Sequence, residues 1–486
     1  MHKTYKQPVL IVGGLLLFAL LVVINPFGLD PLAAKVLAIG ALMVSWWIGD
    51  AAPMPIVALL PLILFPFLGI ARIEEAAAPY ANPVIFLFMG GFMIGLAIEK
   101  WNLHKRIALN IIKLTGTSGN RIIFGFIIAT GFLSMWLSNT ATTMMMFPIA
   151  MSVIKVMEEN DDGIGNQGNL TVCLLLSIAY ASNIGGIATI IGTPPNVAYA
   201  AFLEKHNGYS IQFSEWMLLC TPLSILLLLA LYVVMVKVLY PSGIKDKEST
   251  KNLIVSELRK MGKLSIAEKR VLAIFLLTAF LWIIKDVLNR SQQSYKLDDS
   301  MIAVFGAFLL FVIPSGMHSE GKSGPLMLWS DTNKMAWGVL LLFGGGISLA
   351  AQLEKAGLIQ ALGNWVAGFA EGGFILLLLI TLLSIFISEV MSNVAQVIVF
   401  APVIAGIAEA LNANPLQLGI AMTLGASCAG MLPMGTPPNA IVFGSGKLKL
   451  IHMTKTGFVM NLIAAVLISL FCWFILPMAL SVVVPH

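Results

Sequence analysis

The sequence predicts an all-α protein that crosses a membrane many times and is built from two related halves. Three observations predict it: a shortage of charge, a series of uncharged apolar runs, and a set of motifs that recurs in the same order. Of 486 residues, 58% are hydrophobic and only 11% are charged. A water-soluble domain carries roughly 25% charged residues, so lipid must be the main solvent.

The uncharged runs are Val9–Ile24, Val36–Ile48, Ile56–Leu68, Ile122–Leu137, Val172–Ile191, Leu218–Val236, Val271–Ile284, Met301–Ile313, Phe374–Ile387 and Leu462–Leu480. A bilayer span takes about 20 mostly apolar residues. The shorter runs reach that length with their flanks, and little room is left for a soluble domain. The first run follows His2, Lys3 and Lys6. With so many spans after it, an uncleaved first helix is expected rather than a signal peptide. Cys173, Cys220, Cys428 and Cys472 all lie in apolar stretches without a CxxC pair and read as small buried hydrophobes.

Lys and Arg concentrate in cytoplasmic loops. An amino terminus placed inside, with alternating spans and two hairpins that leave by the side they enter, puts about 22 of the basic residues inside. The carboxy terminus then lies outside. One basic cluster is Lys100, Lys105, Arg106, Lys113 and Arg121; the other is Lys245, Lys247, Lys251, Arg259, Lys260, Lys263, Lys269 and Arg270. The second reads as a solvated cytoplasmic linker, with contact to membrane lipid as the alternative. These clusters account for the net charge of +5 without nucleic acid.

Internal repetition organises the chain. Phe88-Met89-Gly90-Gly91 is echoed by Phe343-Gly344-Gly345-Gly346, and Glu99-Lys100 by Glu354-Lys355. Ser138-Asn139-Thr140-Ala141 returns as Ser392-Asn393-Val394-Ala395, with Pro148 and Pro402 following at equal distance. Gly192-Thr193-Pro194-Pro195-Asn196 returns as Gly435-Thr436-Pro437-Pro438-Asn439. The offset is near 254 until the polar insert Glu158–Asn169 and 243 after it. An odd number of crossings between equivalent points predicts inverted topology, a common transporter design. The division is a first helix over 1–30, one repeat over 31–240, a cytoplasmic linker over 241–270 and a second repeat over 271–486.

Each half interrupts its apolar run twice. The Ser-Asn triplet lies midway through a stretch long enough for two short helices, which predicts a re-entrant hairpin with its tip in the membrane. The double proline follows. Proline lacks an N–H, so carbonyls near Ile190 and Ile191, and near Pro433 and Met434, are expected to lose their donors. Bare backbone at this depth is tolerated only against protein or a wet cavity. The freed carbonyls suit a hard cation. A half-helix starting at Asn196 or Asn439 offers free N–H groups to an anion.

Neither Ile122–Ile154 nor Thr171–Leu203 contains an ionisable Asp, Glu, Lys or Arg, and Gly372–Gly446 contains only Glu389 and Glu409. The site therefore has hydroxyls, amides and backbone groups but no side-chain cation. A dianion there would be costly by itself, and co-bound Na⁺ on oxygen ligands would offset that cost. One oxygen nest is expected from Ser134, Ser138, Asn139 and Gly192, the other from Ser388, Asn393 and Gly435. Substrate contacts are expected from Ser138, Asn139, Thr140, Thr193 and Asn196, and from Ser392, Asn393, Val394, Thr436, Pro437 and Asn439. Glu389 either titrates and couples to protons or holds its hairpin in shape; the structural role is the leading reading. Met144-Met145-Met146 reads as packing. No His or Asp stands near Ser138 or Ser392 in sequence, which argues against an intramembrane enzyme, and paired broken helices favour alternating access over a channel.

With its paired Ser-Asn-Thr tips (Ser138–Thr140 and Ser392–Val394) and Thr-Pro-Pro-Asn breaks (Thr193–Asn196 and Thr436–Asn439), the chain resembles the divalent anion:sodium symporter family of dicarboxylate and citrate carriers along nearly its whole length. The resemblance implies about 11 transmembrane helices plus two re-entrant hairpins and two broken helices, and a homodimer joined through scaffold domains. It implies a transport domain that slides as an elevator, with tips gripping the carboxylates and sodium where each tip meets its break. The expected activity is sodium-coupled symport of C4-dicarboxylates such as succinate, malate and fumarate across a cell membrane, without an organic cofactor. The alternative is sodium-independent exchange of dicarboxylate or citrate, a tricarboxylate. Val394 departs from the tip pattern and removes a hydroxyl donor, so the grip on the carboxylates is expected to be asymmetric.

Overall fold

The computed structural model describes residues 6–116, 119–159, 166–241, 248–291, 295–319, 322–368 and 372–478. Lys3, Lys245 and Lys247, the middle of the polar insert and the end of the last apolar run lie outside the described residues. Nine helices among the described residues are long and apolar enough to cross a bilayer, and shorter apolar helices accompany them.

Local sequence sets many of the helix starts. Asp30, Asn82 and Asn414 each precede a proline and accept a hydrogen bond from the backbone N–H two residues on. A side-chain cap of this kind is worth about 1 kcal/mol, and the proline behind it occupies the first helical position, where no N–H is needed. The run Ile56–Leu68, expected as one segment, is two helices, Met54–Val57 and Leu60–Phe67. The interruption is held by Tyr80, whose hydroxyl donates to the Ala58 carbonyl. A short antiparallel hairpin, Pro314–Ser319 with Lys322–Pro325, is an addition to the helical plan.

The two halves interlock. Helix Pro83–Lys100 of the first half packs on Asp299–Val312 of the second, with Gly90 against the Ala303 backbone. Helix Trp337–Lys355 of the second half packs on the first, with Gly345 against the Ala58 backbone. A Cβ at either glycine would collide with main chain. Phe88 and Phe343, equivalent residues of the repeat, meet edge to face at 5.4 Å between ring centroids. Contact between equivalent residues is what a two-fold relation between the halves produces.

The basic clusters find acidic partners. The amphipathic helix Leu103–Thr115 buries Leu103, Ala108, Leu109 and Ile112 on one face. From the same helix Arg106 pairs with Glu268 at 2.7 Å and Lys105 with Glu257 at 3.1 Å. Hydrogen bonds from Lys260 and Lys105 hold the Glu257 carboxyl below the usual carboxylate range. Lys100 with Asp331 (2.6 Å) and Lys447 with Glu158 (2.7 Å) also join segments that span counting puts on the amino-terminal side. His206, by contrast, stands 3.1 Å from both Glu354 and Glu409, all three counted to the other side.

Candidate functional site

Both Ser-Asn motifs sit at hairpin tips. The first hairpin is Gly119–Ser134 with Asn139–Glu159, and the second is Phe374–Ser388 with Asn393–Ala410. Ser134 Oγ donates to Asn139 Oδ1 at 2.7 Å, and Ser388 Oγ donates to Asn393 Oδ1 at 2.6 Å. The same serine–asparagine pair thus closes each tip, at positions 254 apart in sequence. Ser134 and Ser388 are fully buried, while Asn139, Thr140, Asn393 and Val394 are half-buried. Ser138 Oγ accepts from the Ala141 N–H at 3.2 Å and so caps its helix; Ser392 makes no such bond.

The breaks lie against these tips. The first broken helix is Gln167–Gly186 followed by Pro194–Asn207, and the second is Pro415–Ala426 followed by Pro437–Phe443. The prolines were expected to strip donors from Ile190 and Ile191, with the next helix beginning at Asn196 and Asn439. The structure corrects both points. Each first half-helix has already ended well before the prolines, and Pro194 and Pro437 open the second half-helix, where a missing N–H costs nothing. The exposed carbonyls are therefore earlier ones. Asn196 Nδ2 donates to the carbonyls of Gly186 (3.2 Å) and Thr189 (2.8 Å). Asn439 Nδ2 donates to those of Ala429 (3.4 Å) and Leu432 (3.1 Å), ten and seven residues back in both cases. Both asparagines are fully buried, and their Oδ1 atoms have no hydrogen-bond partner among the described residues. Their side chains brace the break loops.

Close approach explains the glycines. A Cβ at Gly186 would strike Asn139 Oδ1, and one at Gly192 would stand 2.5 Å from the Gly186 carbonyl oxygen. In the second half a Cβ at Gly435 would stand 2.9 Å from Glu389 Oε2. The first nest thus assembles hydroxyl, amide and carbonyl oxygens around Ser134, Asn139, Gly186 and Gly192. These are the hard donors a small alkali cation takes.

Glu389 resolves toward its structural role. Its Oε1 accepts from the N–H groups of Gly430 (2.8 Å) and Met431 (2.7 Å) and from Asn461 Nδ2 (2.8 Å). Its Oε2 accepts from the Leu432 N–H at 3.0 Å. Four donors engage both oxygens of this buried carboxylate and clasp the second break to the second tip. The first half makes the equivalent link with Thr189, whose hydroxyl donates to the Met135 carbonyl.

Two residues that sequence reasoning passed over complete the site. Asn461 supports Glu389 from helix Leu450–Leu470. Asn183, buried on Gln167–Gly186, lies between Asn139 Nδ2 (3.5 Å) and Thr436 Oγ1 (3.1 Å). Asn183 is the one amide of the uncharged run Val172–Ile191, and Asn461 the one amide of helix Leu450–Leu470. Polar residues at such depth are costly and tend to be functional, a signal that was available in the sequence.

Helices spanning a bilayer, with hairpin tips meeting broken helices in two matched sets, define a membrane transport protein of the secondary type. The chain belongs to the sodium:sulfate symporter family, whose transmembrane-region model matches residues 6–480. It is 39% identical over 479 residues to the sodium-dependent dicarboxylate transporter SdcS of Staphylococcus saprophyticus, covering 97% of this chain and 92% of that one. The Staphylococcus aureus protein of the same name is 38% identical over 478 residues with the same coverage. Among solved structures, the YdaH transporter of Alcanivorax borkumensis superposes with a TM-score of 0.57 at 15% identity, over 84% of this chain and 89% of that one. MtrF of Neisseria gonorrhoeae gives 0.53 at 16%, over 87% and 84%. These two likenesses show the fold.

Proposed function

We propose that the chain carries C4-dicarboxylates such as succinate, malate and fumarate across the cell membrane together with sodium. The observation that carries this reading is the matched pair of tip nests, Ser134–Asn139 and Ser388–Asn393, built from oxygen donors where no Lys or Arg stands nearby in sequence. A dianion in such a place needs cations that arrive with it, since an isolated charge at this depth is very costly to bury. The names of the staphylococcal relatives agree with both cargoes.

In this reading sodium is cargo. Ser134, Ser138, Asn139 and Gly192 hold one ion, and Ser388, Asn393 and Gly435 hold another. Ser138–Thr140, Thr193, Ser392–Val394, Thr436 and Pro437 face the carboxylates. Asn196 and Asn439 act from behind by holding the loop carbonyls. Movement is of the elevator type: hairpins and broken helices travel against a scaffold that includes Pro83–Lys100 and Trp337–Lys355. The repeats have inverted topology, the amino terminus is cytoplasmic, and two copies join through their scaffolds. Interlocked glycine helices, which pack segments of both halves closely together, support that division.

Purified protein in liposomes tests the reading. Labelled succinate is expected to enter faster with an inward sodium gradient than with choline. Equal uptake in both would remove sodium from the mechanism and leave anion exchange, which requires internal dicarboxylate or citrate.

A further inference from the structure

The two nests are not independent. Asn183 is 3% exposed and belongs to the first half, three residues before its helix ends. Its Oδ1 lies 3.5 Å from Asn139 Nδ2, and its own Nδ2 donates to Thr436 Oγ1 at 3.1 Å. Asn139 Oδ1 in turn accepts from Ser134. A line of polar groups therefore runs from the first tip to the second break. At the repeat offset of 243 the counterpart of Asn183 is Ala426, which has no side-chain amide. The connection runs one way only.

The donor and acceptor roles along this line matter. A threonine hydroxyl has two lone pairs and one proton to donate. At Thr436 the oxygen accepts from Asn183 Nδ2 and, at 3.4 Å, from the Asn439 N–H. Both lone pairs are then engaged, and the proton is left to donate. A carboxylate accepts only, so Thr436 is preset for an anion. Thr193, its counterpart in the first half, makes no cap bond.

We propose that Asn183 is a positioning residue that couples the ion nest of the first half to carboxylate recognition by Thr436 in the second. A cation on Asn139 Oδ1 polarises that amide, strengthens its N–H toward Asn183 Oδ1, and passes the polarisation on to Thr436, since linked hydrogen bonds reinforce one another. Sodium at the first tip thereby raises the affinity for dicarboxylate at the second break. This inference rests on the sodium–dicarboxylate reading above.

The test uses the full-length protein in liposomes, with labelled succinate at limiting and at saturating sodium. Asn183→Ala is expected to raise KM at saturating sodium by about tenfold, the scale of one hydrogen bond to a charged group. The fall of KM with rising sodium should flatten. Asn183→Leu keeps the volume and serves if the alanine variant does not fold. In a Thr436→Val background either change should alter KM by less than about twofold, because coupled residues are non-additive. An equal rise of KM in both backgrounds, or a lower maximal rate at unchanged KM, overturns the proposal and leaves Asn183 as a packing residue. Sodium-independent uptake by the unmodified protein instead sinks the underlying reading, and the Thr436 cycle still reports on the hydrogen bond.

Discussion

The two tip-and-break sites use the same positions with different chemistry. In the first half the tip is tied to its break by one neutral hydrogen bond, Thr189 hydroxyl to Met135 carbonyl. In the second half the residue at the Met135 position is Glu389, and the residue at the Thr189 position is Leu432, whose N–H donates to that carboxylate. The surroundings account for the difference. The first break is buried against helix Pro83–Lys100, with Ile191 packed on Gly91. The second break leaves Met434 75% exposed. Packing holds the covered loop in place; the uncovered loop is held by the Glu389 side chain, whose two oxygens gather three backbone N–H groups and Asn461. A duplicated contact thus persists in place while its strength follows its cover.

The largest expected effect tests what the halves share. Asn139→Ala and Asn393→Ala should each cut succinate uptake by on the order of a hundredfold or more, about what a lost charge-assisted bond inside a site costs. Both variants should remain folded. Normal uptake by either would refute the tip assignment.

The next effect tests where they differ. Glu389→Gln weakens the charged clasp and should cost about 3 kcal/mol, whereas Thr189→Val removes one neutral bond and should cost about 1 kcal/mol. Thermal unfolding in detergent reads both. Equal shifts would mean that the charge adds nothing to the second clasp. Asn196→Ala and Asn439→Ala come third. Each releases two loop carbonyls and should raise the sodium concentration for half-maximal uptake by about tenfold, one to two hydrogen bonds' worth. If the succinate KM rises while sodium dependence stays put, these asparagines touch substrate instead. The smallest effect belongs to Val394→Thr, which restores the tip hydroxyl. It should change relative uptake of succinate, malate and citrate by a few-fold with sodium dependence intact, and unchanged ratios would deny this position a part in selectivity.

Much of this was legible beforehand, for a physical reason. Lipid as solvent forces uncharged spans, and hairpins and breaks must show as polar or proline interruptions because hydrocarbon does not satisfy bare backbone. Ser134, Asn139, Ser388 and Asn393 could be named from the repeat, and the structure brings each pair together. What misled was the role of the prolines. Their missing N–H suggested stripped carbonyls just before them, yet Pro194 and Pro437 are helix starters. The asparagine that follows, Asn196 or Asn439, turns back to the loop. That side-chain direction depends on where the preceding half-helix stops, which no local motif states.

The sequence by itself determined a duplicated helical membrane protein, two tips and two breaks, in stretches that carry no Lys or Arg. These follow from composition and spacing, which act locally. Only the tertiary structure decided that Glu389 clasps residues 430–432, that Phe88 meets Phe343, and that Asn183 joins one half's tip to the other half's break. Each of these unites residues more than 40 positions apart. Their partners are fixed by packing across helices, and a linear pattern carries no record of that.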